Sequence, residues 1–117
     1  MQRFYCRLAC LVLIAGCSFA AGNTASAAVI DRSKLLQACN SHGHVGLADC
    51  DAYVAGVADA SQSPDSGTPT LCIPAGVTVR HLRETVTAWL SAHAGNGSEP
   101  AAPAVRDALK SGYSCNK

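Results

Sequence analysis

The sequence predicts an all-α fold, a small bundle of about four helices stapled by disulfides. Strict alternation of apolar and polar residues is absent, and apolar residues recur at steps of three and four in four stretches. Clusters of glycine and proline separate those stretches. Four cysteines fall within the same region, and an even number in a small exported chain reads as a disulfide framework.

The first element is a leader. Two basic residues lie within residues 1–7, and residues 8–16 (LACLVLIAG) form an apolar or small run. These are the n-region and h-region of a secretory signal, too short for a permanent transmembrane helix. Two processing sites compete. Ala25, Ser26 and Ala27 make an A-x-A site for cleavage after Ala27, while Ile14, Ala15, Gly16 and Cys17 spell a bacterial lipobox that would leave a lipidated Cys17. In the second case residues 18–27 form a small-residue tether.

The whole chain has 117 residues, 7 cysteines and a formal charge of +1. Residues 28–117 carry 7 basic and 8 acidic side chains, a charge of −1. One domain of this size without a basic face does not fit an electrostatic nucleic-acid binder. It holds only 20 large apolar side chains beside 15 alanines. So thin a core calls for staples or a partner subunit.

Removing the leader leaves Cys39, Cys50, Cys72 and Cys115. Three pairings are open. Cys39 with Cys50 and Cys72 with Cys115 are favoured, because the first closes a short loop and the second ties down a terminus that would otherwise fray. Zinc is the competing use of Cys39, His42, His44 and Cys50. Their C-x2-H-x-H-x5-C spacing matches no common zinc pattern, and exported thiols oxidise before they ligate, so no metal is expected.

Asp31 or Ser33 can cap a first helix running to about Asn40, with Leu35, Leu36 and Cys39 on one face. Residues 41–46 read as a glycine-punctuated loop. A second helix is expected over residues 47–60, where Leu47, Cys50, Val54 and Val57 step by three or four beside Tyr53. Gly56 within it marks a close approach of another backbone. Residues 61–70 (SQSPDSGTPT) read as an exposed loop. The third helix has Thr78 as N-cap, a stripe of Val79, Leu82, Val86, Trp89, Leu90 and His93, and Gly95 at the C′ position. Trp89 is assigned to the core in preference to an interface. Residues 95–103 read as a second mobile loop. Pro103 then opens a last helix ending at Gly112, with Val105, Ala108 and Leu109 as its buried edge and Tyr113 and Cys115 pinning the end.

No enzyme constellation emerges. There is no G-x-S-x-G, Walker loop, H-E-x-x-H or dinucleotide fingerprint, and no cofactor is implied. Asp49 and Asp51 are explained by the dipole at a helix start. His81 and His93 lie twelve residues apart and read as capping or solvated residues. Asp59, near a helix C-terminus, is expected to hydrogen-bond a loop. Asn96, Gly97 and Ser98 form a sequon that a bacterial-type leader makes irrelevant.

Read together, L-L-Q-A-C at residues 35–39, C-D-A-Y-V-A-G-V-A-D-A at 50–60, L-C-I-P-A-G-V-T at 71–78, W-L-S-A-H at 89–93 and the terminal Y-S-C form an ordered set. The order resembles the Rap/Tai family of immunity proteins, which protect bacteria against amidase toxins of the type VI secretion system. The resemblance covers nearly all of residues 28–117. It implies a small helical periplasmic protein, commonly a homodimer, that binds a peptidoglycan amidase and blocks its catalytic cleft. It assigns Cys39, Cys50, Cys72 and Cys115 to the disulfide framework. Tyr53, Gly56 and Asp59 become the packing signature of the second helix, and Pro74 and Gly76 the turn into the third. This chain departs from the family in having Ala94 where a proline usually follows the helix-three histidine, and in a glycine-rich loop beyond it.

Family motifs do not specify the toxin-contacting residues. Gly95, Asn96, Gly97, Ser98 and Glu99 are expected to form part of the plug, being exposed and bounded by a helix on each side. Residues 61–70 are the competing surface. The competing functions are a periplasmic acid-stress chaperone and a structural lipoprotein.

Overall fold

The computed structural model describes residues 29–115. Four α-helices follow one another within them: α1 (Arg32–Cys39), α2 (His44–Gln62), α3 (Val79–Ala92) and α4 (Ala101–Tyr113). One 3-10 turn occupies Pro64–Ser66. Each helix packs against the next in sequence, and α2 also meets α4 while α1 meets α3. No strand occurs among the described residues; isolated bridges join Asp31 to Pro100 and Leu71 to Ser114. The fold is the all-α, four-helix arrangement expected. The leader and the lipobox with Cys17 lie outside the described residues.

Helix α1 starts where Asp31 accepts the Lys34 amide at 2.8 Å, with the Ser33 hydroxyl on the same carboxylate oxygen. The Lys34 amide first, and then the Ser33 hydroxyl, stabilise the ionised form and lower the Asp31 pKa. Leu35 and Cys39, one turn apart, are the buried face. Cys39 is bonded to Cys50 of α2, their Cα atoms 5.1 Å apart.

Helix α2 is longer than its apolar pattern at both ends. It begins at His44, inside the expected loop, because Gly46 allows the first turn to press against Ser41. A Cβ at Gly46 would stand 2.6 Å from the Ser41 Cβ. It continues past Ala60 to Gln62, where the otherwise unpaired carbonyls of the last turn find donors: Asp59 accepts the Ser63 amide and Ser61 the Thr70 and Leu71 amides. The close approach expected at Gly56 belongs to Gly46 instead. Gly56 is exposed, and a Cβ there would meet nothing within 4 Å. Asp59 is also exposed, and it is its backbone carbonyl, not its carboxylate, that receives the Ser63 amide.

The path into α3 is held by Gln62, whose side-chain oxygen accepts the Ile73 amide, and turns at Gly76 with φ of 93°. Thr78 caps α3 by accepting the His81 amide at 3.2 Å. Leu82, Val86 and Leu90, at steps of four, are its buried stripe. The helix ends at Ala92 with His93 as C-cap, so Gly95, at φ of 42°, lies beyond the expected C′ position.

Helix α4 opens with Ala101, whose amide donates to the Ile30 carbonyl at 3.0 Å. Pro103 sits in its first turn, where an amide has no intrahelical acceptor to lose. Ala101, Ala104, Val105, Ala108 and Leu109 are buried. Three alanines in that set let the helix backbone come close to its neighbours. The helix runs to Tyr113, whose carbonyl accepts the Cys72 amide at 2.8 Å. The Cys72–Cys115 disulfide, with Cα atoms 4.8 Å apart, closes the end. Both favoured cysteine pairings are therefore the ones present.

Candidate functional site

Residues 95–99, which join α3 to α4, are pinned to the N-terminus of α1. The first amides of a helix have no intrahelical acceptor and need one from elsewhere. In α1 the Arg32 amide donates to the Glu99 carbonyl at 2.9 Å and the Ser33 amide to the Gly97 carbonyl at 3.0 Å. The loop thus caps the helix, with Asp31 taking the third amide. Inside the loop, Asn96 Oδ1 accepts the Ser98 amide and hydroxyl at 3.2 and 2.8 Å, and the Glu99 amide returns to the Asn96 carbonyl at 3.0 Å. Asn96, Ser98 and Glu99 remain exposed. The expected loop of residues 95–103 is shorter than its composition suggests, because residues 101–103 belong to α4, and the backbone of residues 95–99 carries these bonds.

Arg32 makes a second set of ties through its side chain, which is only 11% exposed. One guanidinium nitrogen meets the Glu99 carboxylate at 3.2 Å, and the other donates to the His93 carbonyl. The same group lies over the Trp89 ring, 5.8 Å from its centroid. Trp89 is half-buried, packs against the edge of the core, and stacks on His93 with centroids 4.0 Å apart. His93 Nδ1 lies 2.9 Å from the Trp89 carbonyl, so that ring nitrogen donates. His93 is thereby part of the loop's support. His81, near the other end of α3, is exposed, as His93 is.

Arg32 was missed in the sequence, although one signal was there. A cation at the first position of a helix opposes the macrodipole. Such a local conflict marks a side chain with a partner elsewhere.

The competing segment, residues 61–70, is also folded back. The Thr70 and Leu71 amides donate to the Ser61 carbonyl, and the 3-10 turn ends at Gly67 with φ of 100°. This segment borders a groove of about 580 Å³ whose walls include Tyr53 and Gly56 of α2 and Pro103, Arg106 and Lys110 of α4. Burial raises the Tyr53 pKa. Gly56 therefore shapes an open groove, and Asp59 takes no part in its lining.

The remaining polar residues do not converge. Cys39 and Cys50 are bonded to each other, and His42 and His44 are exposed beside them. Asp49 and Asp51 lie beyond the first turn of α2, so the dipole at a helix start does not account for them. Asp51 instead pairs with Arg83 of α3 at 2.8 Å. Among the described residues no group of three or more His, Cys, Asp or Glu is placed to hold a metal ion, and no helix is long and apolar enough to cross a membrane.

No curated protein and no solved structure matches the chain. A family model described as Rap1a immunity proteins matches residues 31–115, from the Asp31 cap to the last disulfide cysteine. The chain therefore belongs to the Rap1a immunity protein family, and membership implies immunity to an effector of the type VI secretion system.

Proposed function

We propose that the protein acts in the periplasm, where it binds a peptidoglycan amidase delivered by the type VI secretion system and occludes its catalytic cleft. In this reading residues 1–27 are the export leader, with lipidation at Cys17 as the alternative. The domain is residues 28–117 and works as a homodimer. The observation that carries the proposal, beside the family match, is the loop of Gly95, Asn96, Gly97, Ser98 and Glu99. Asn96, Ser98 and Glu99 are exposed while the Gly97 and Glu99 carbonyls are bound by the first amides of α1.

A segment held in one conformation before binding loses little conformational entropy on entering a groove, and that saving appears as affinity. Two disulfides give the same advantage to the body that carries it. Occlusion requires no chemistry from the inhibitor, only a complementary surface that excludes substrate and water from the cleft.

The test is to replace residues 95–99 with a short Gly-Ser linker, to do the same for residues 64–68, and to titrate each variant against a purified peptidoglycan amidase effector of the type VI secretion system. Loss of inhibition only with the first replacement supports the proposal. Full inhibition by that variant would move the contact to the groove bordered by residues 61–70.

A further inference from the structure

We infer that Arg32 is the positioning residue for the effector-contacting loop, holding residues 95–99 in the binding conformation before the partner arrives. The inference rests on that loop being the contact segment. Three features single Arg32 out among the residues near the loop.

The first is reach. One guanidinium meets the last residue of the loop through the Glu99 carboxylate, the residue before α3 gives way to the loop through the His93 carbonyl, and the Trp89 ring beneath. A planar group with five donors can serve a carboxylate, a carbonyl and a ring face together, which an ammonium cannot.

The second is need. Gly95 and Gly97 give the segment more freedom than other residues would, and that freedom must be suppressed for one conformation to dominate. A cleft of about 170 Å³ lies between the loop and α1, lined in part by Arg32, Leu36, Leu90 and Gly97. Apolar packing beneath the loop is therefore incomplete, and its position depends on polar ties.

The third is fit. A Cβ at Gly95 would fall on the Arg32 guanidinium, and Gly95 has φ of 42°, where side-chain-bearing residues are strained. Gly95 is the space the guanidinium occupies. Arg32 and Gly95 form one unit across 63 residues of sequence, and Arg32 touches the effector only through the loop it fixes.

The experiment uses the full domain and the purified amidase. Amide hydrogen exchange at Ser33 and Glu99 reads loop docking directly, because the Ser33 amide donates to the Gly97 carbonyl and the Glu99 amide to the Asn96 carbonyl. In Arg32→Ala both amides exchange about tenfold faster while Val86 and Leu109 keep their protection, and Kd for the amidase rises about tenfold, as expected when the competent conformation falls to about a tenth of the population. Arg32→Lys recovers part of both effects. Val105→Ala, a core truncation, lowers Tm without changing the Kd of the folded protein, which separates positioning from general stability.

Should Arg32→Ala fail to fold, Gly95→Ala displaces the guanidinium with the arginine retained and is expected to raise Kd by a similar factor. A loosened loop with unchanged Kd, in a protein whose loop replacement abolishes binding, overturns the positioning role alone. An unchanged Kd after loop replacement overturns the assignment of the loop and this inference with it.

Discussion

Arg83 of α3 donates through one nitrogen to both carboxylate oxygens of Asp51 on α2, each at 2.8 Å. The pair is half-covered, with side-chain exposures of 16% and 33%, and bridges α2 and α3. Partial shielding puts such a pair toward the upper end of the range for surface ion pairs. A double-mutant cycle with Asp51→Asn and Arg83→Met is expected to give a coupling of about 1 kcal/mol in thermal or urea unfolding. Additive effects of the two changes would show that the contact contributes nothing net.

The two glycines of α2 are expected to respond in opposite ways. Gly56→Ala adds a methyl to open space within a helix, so stability should rise by about 0.4 to 1 kcal/mol. Gly46→Ala drives a methyl into the Ser41 side chain and should destabilise by about 1 to 3 kcal/mol. Thermal denaturation of both variants checks the pair. A gain in Tm for Gly56→Ala together with a loss of effector binding would place the groove beside Tyr53 in the interface.

The disulfides close loops of different length, 11 residues apart for Cys39–Cys50 and 43 for Cys72–Cys115. The chain-entropy argument gives about 3 kcal/mol for the shorter loop and about 4 kcal/mol for the longer. Paired Cys→Ser variants should reproduce that order in urea midpoints. The Cys72→Ser, Cys115→Ser variant should also lose amide protection at Cys72's position, because the tie to the Tyr113 carbonyl lies beside the bond.

Acid should weaken the α1 cap. Asp31 has a lowered pKa in the fold, caused first by the Lys34 amide and then by the Ser33 hydroxyl. A carboxylate with a depressed folded pKa contributes stability above its unfolded pKa, about 3.9, and loses it as pH falls through the folded value. Carbon-detected NMR titration should place the Asp31 midpoint below that of a free aspartate. Asp31→Asn, which keeps the cap acceptor without the charge, should reduce the loss of stability between pH 5 and pH 2 set by the carboxylate range.

Local periodicity carried most of the fold. The buried steps Leu82, Val86, Leu90 and Val105, Ala108, Leu109 follow directly from spacing, and the Thr78 cap is readable from residue type. Helix ends were less legible where the following segment repaired them. The Thr70 and Leu71 amides returning to the Ser61 carbonyl hold the last turn of α2 through what composition marks as loop, and no periodic signal records those bonds. The candidate site was half visible. The exposed glycine-rich loop announced itself, but its fixation depends on Arg32 and Ser33, more than sixty residues earlier, and pairing across that distance leaves no trace in the local pattern. Asp51 was misread for the same reason, since its partner Arg83 lies one helix away.

The most direct test is a titration of purified residues 28–117 into a peptidoglycan-hydrolysis assay with the amidase effector that the protein is proposed to block. The account predicts stoichiometric loss of hydrolysis, competitive with substrate, and its reversal when residues 95–99 are replaced. Undiminished hydrolysis at a large excess of the domain would contradict it.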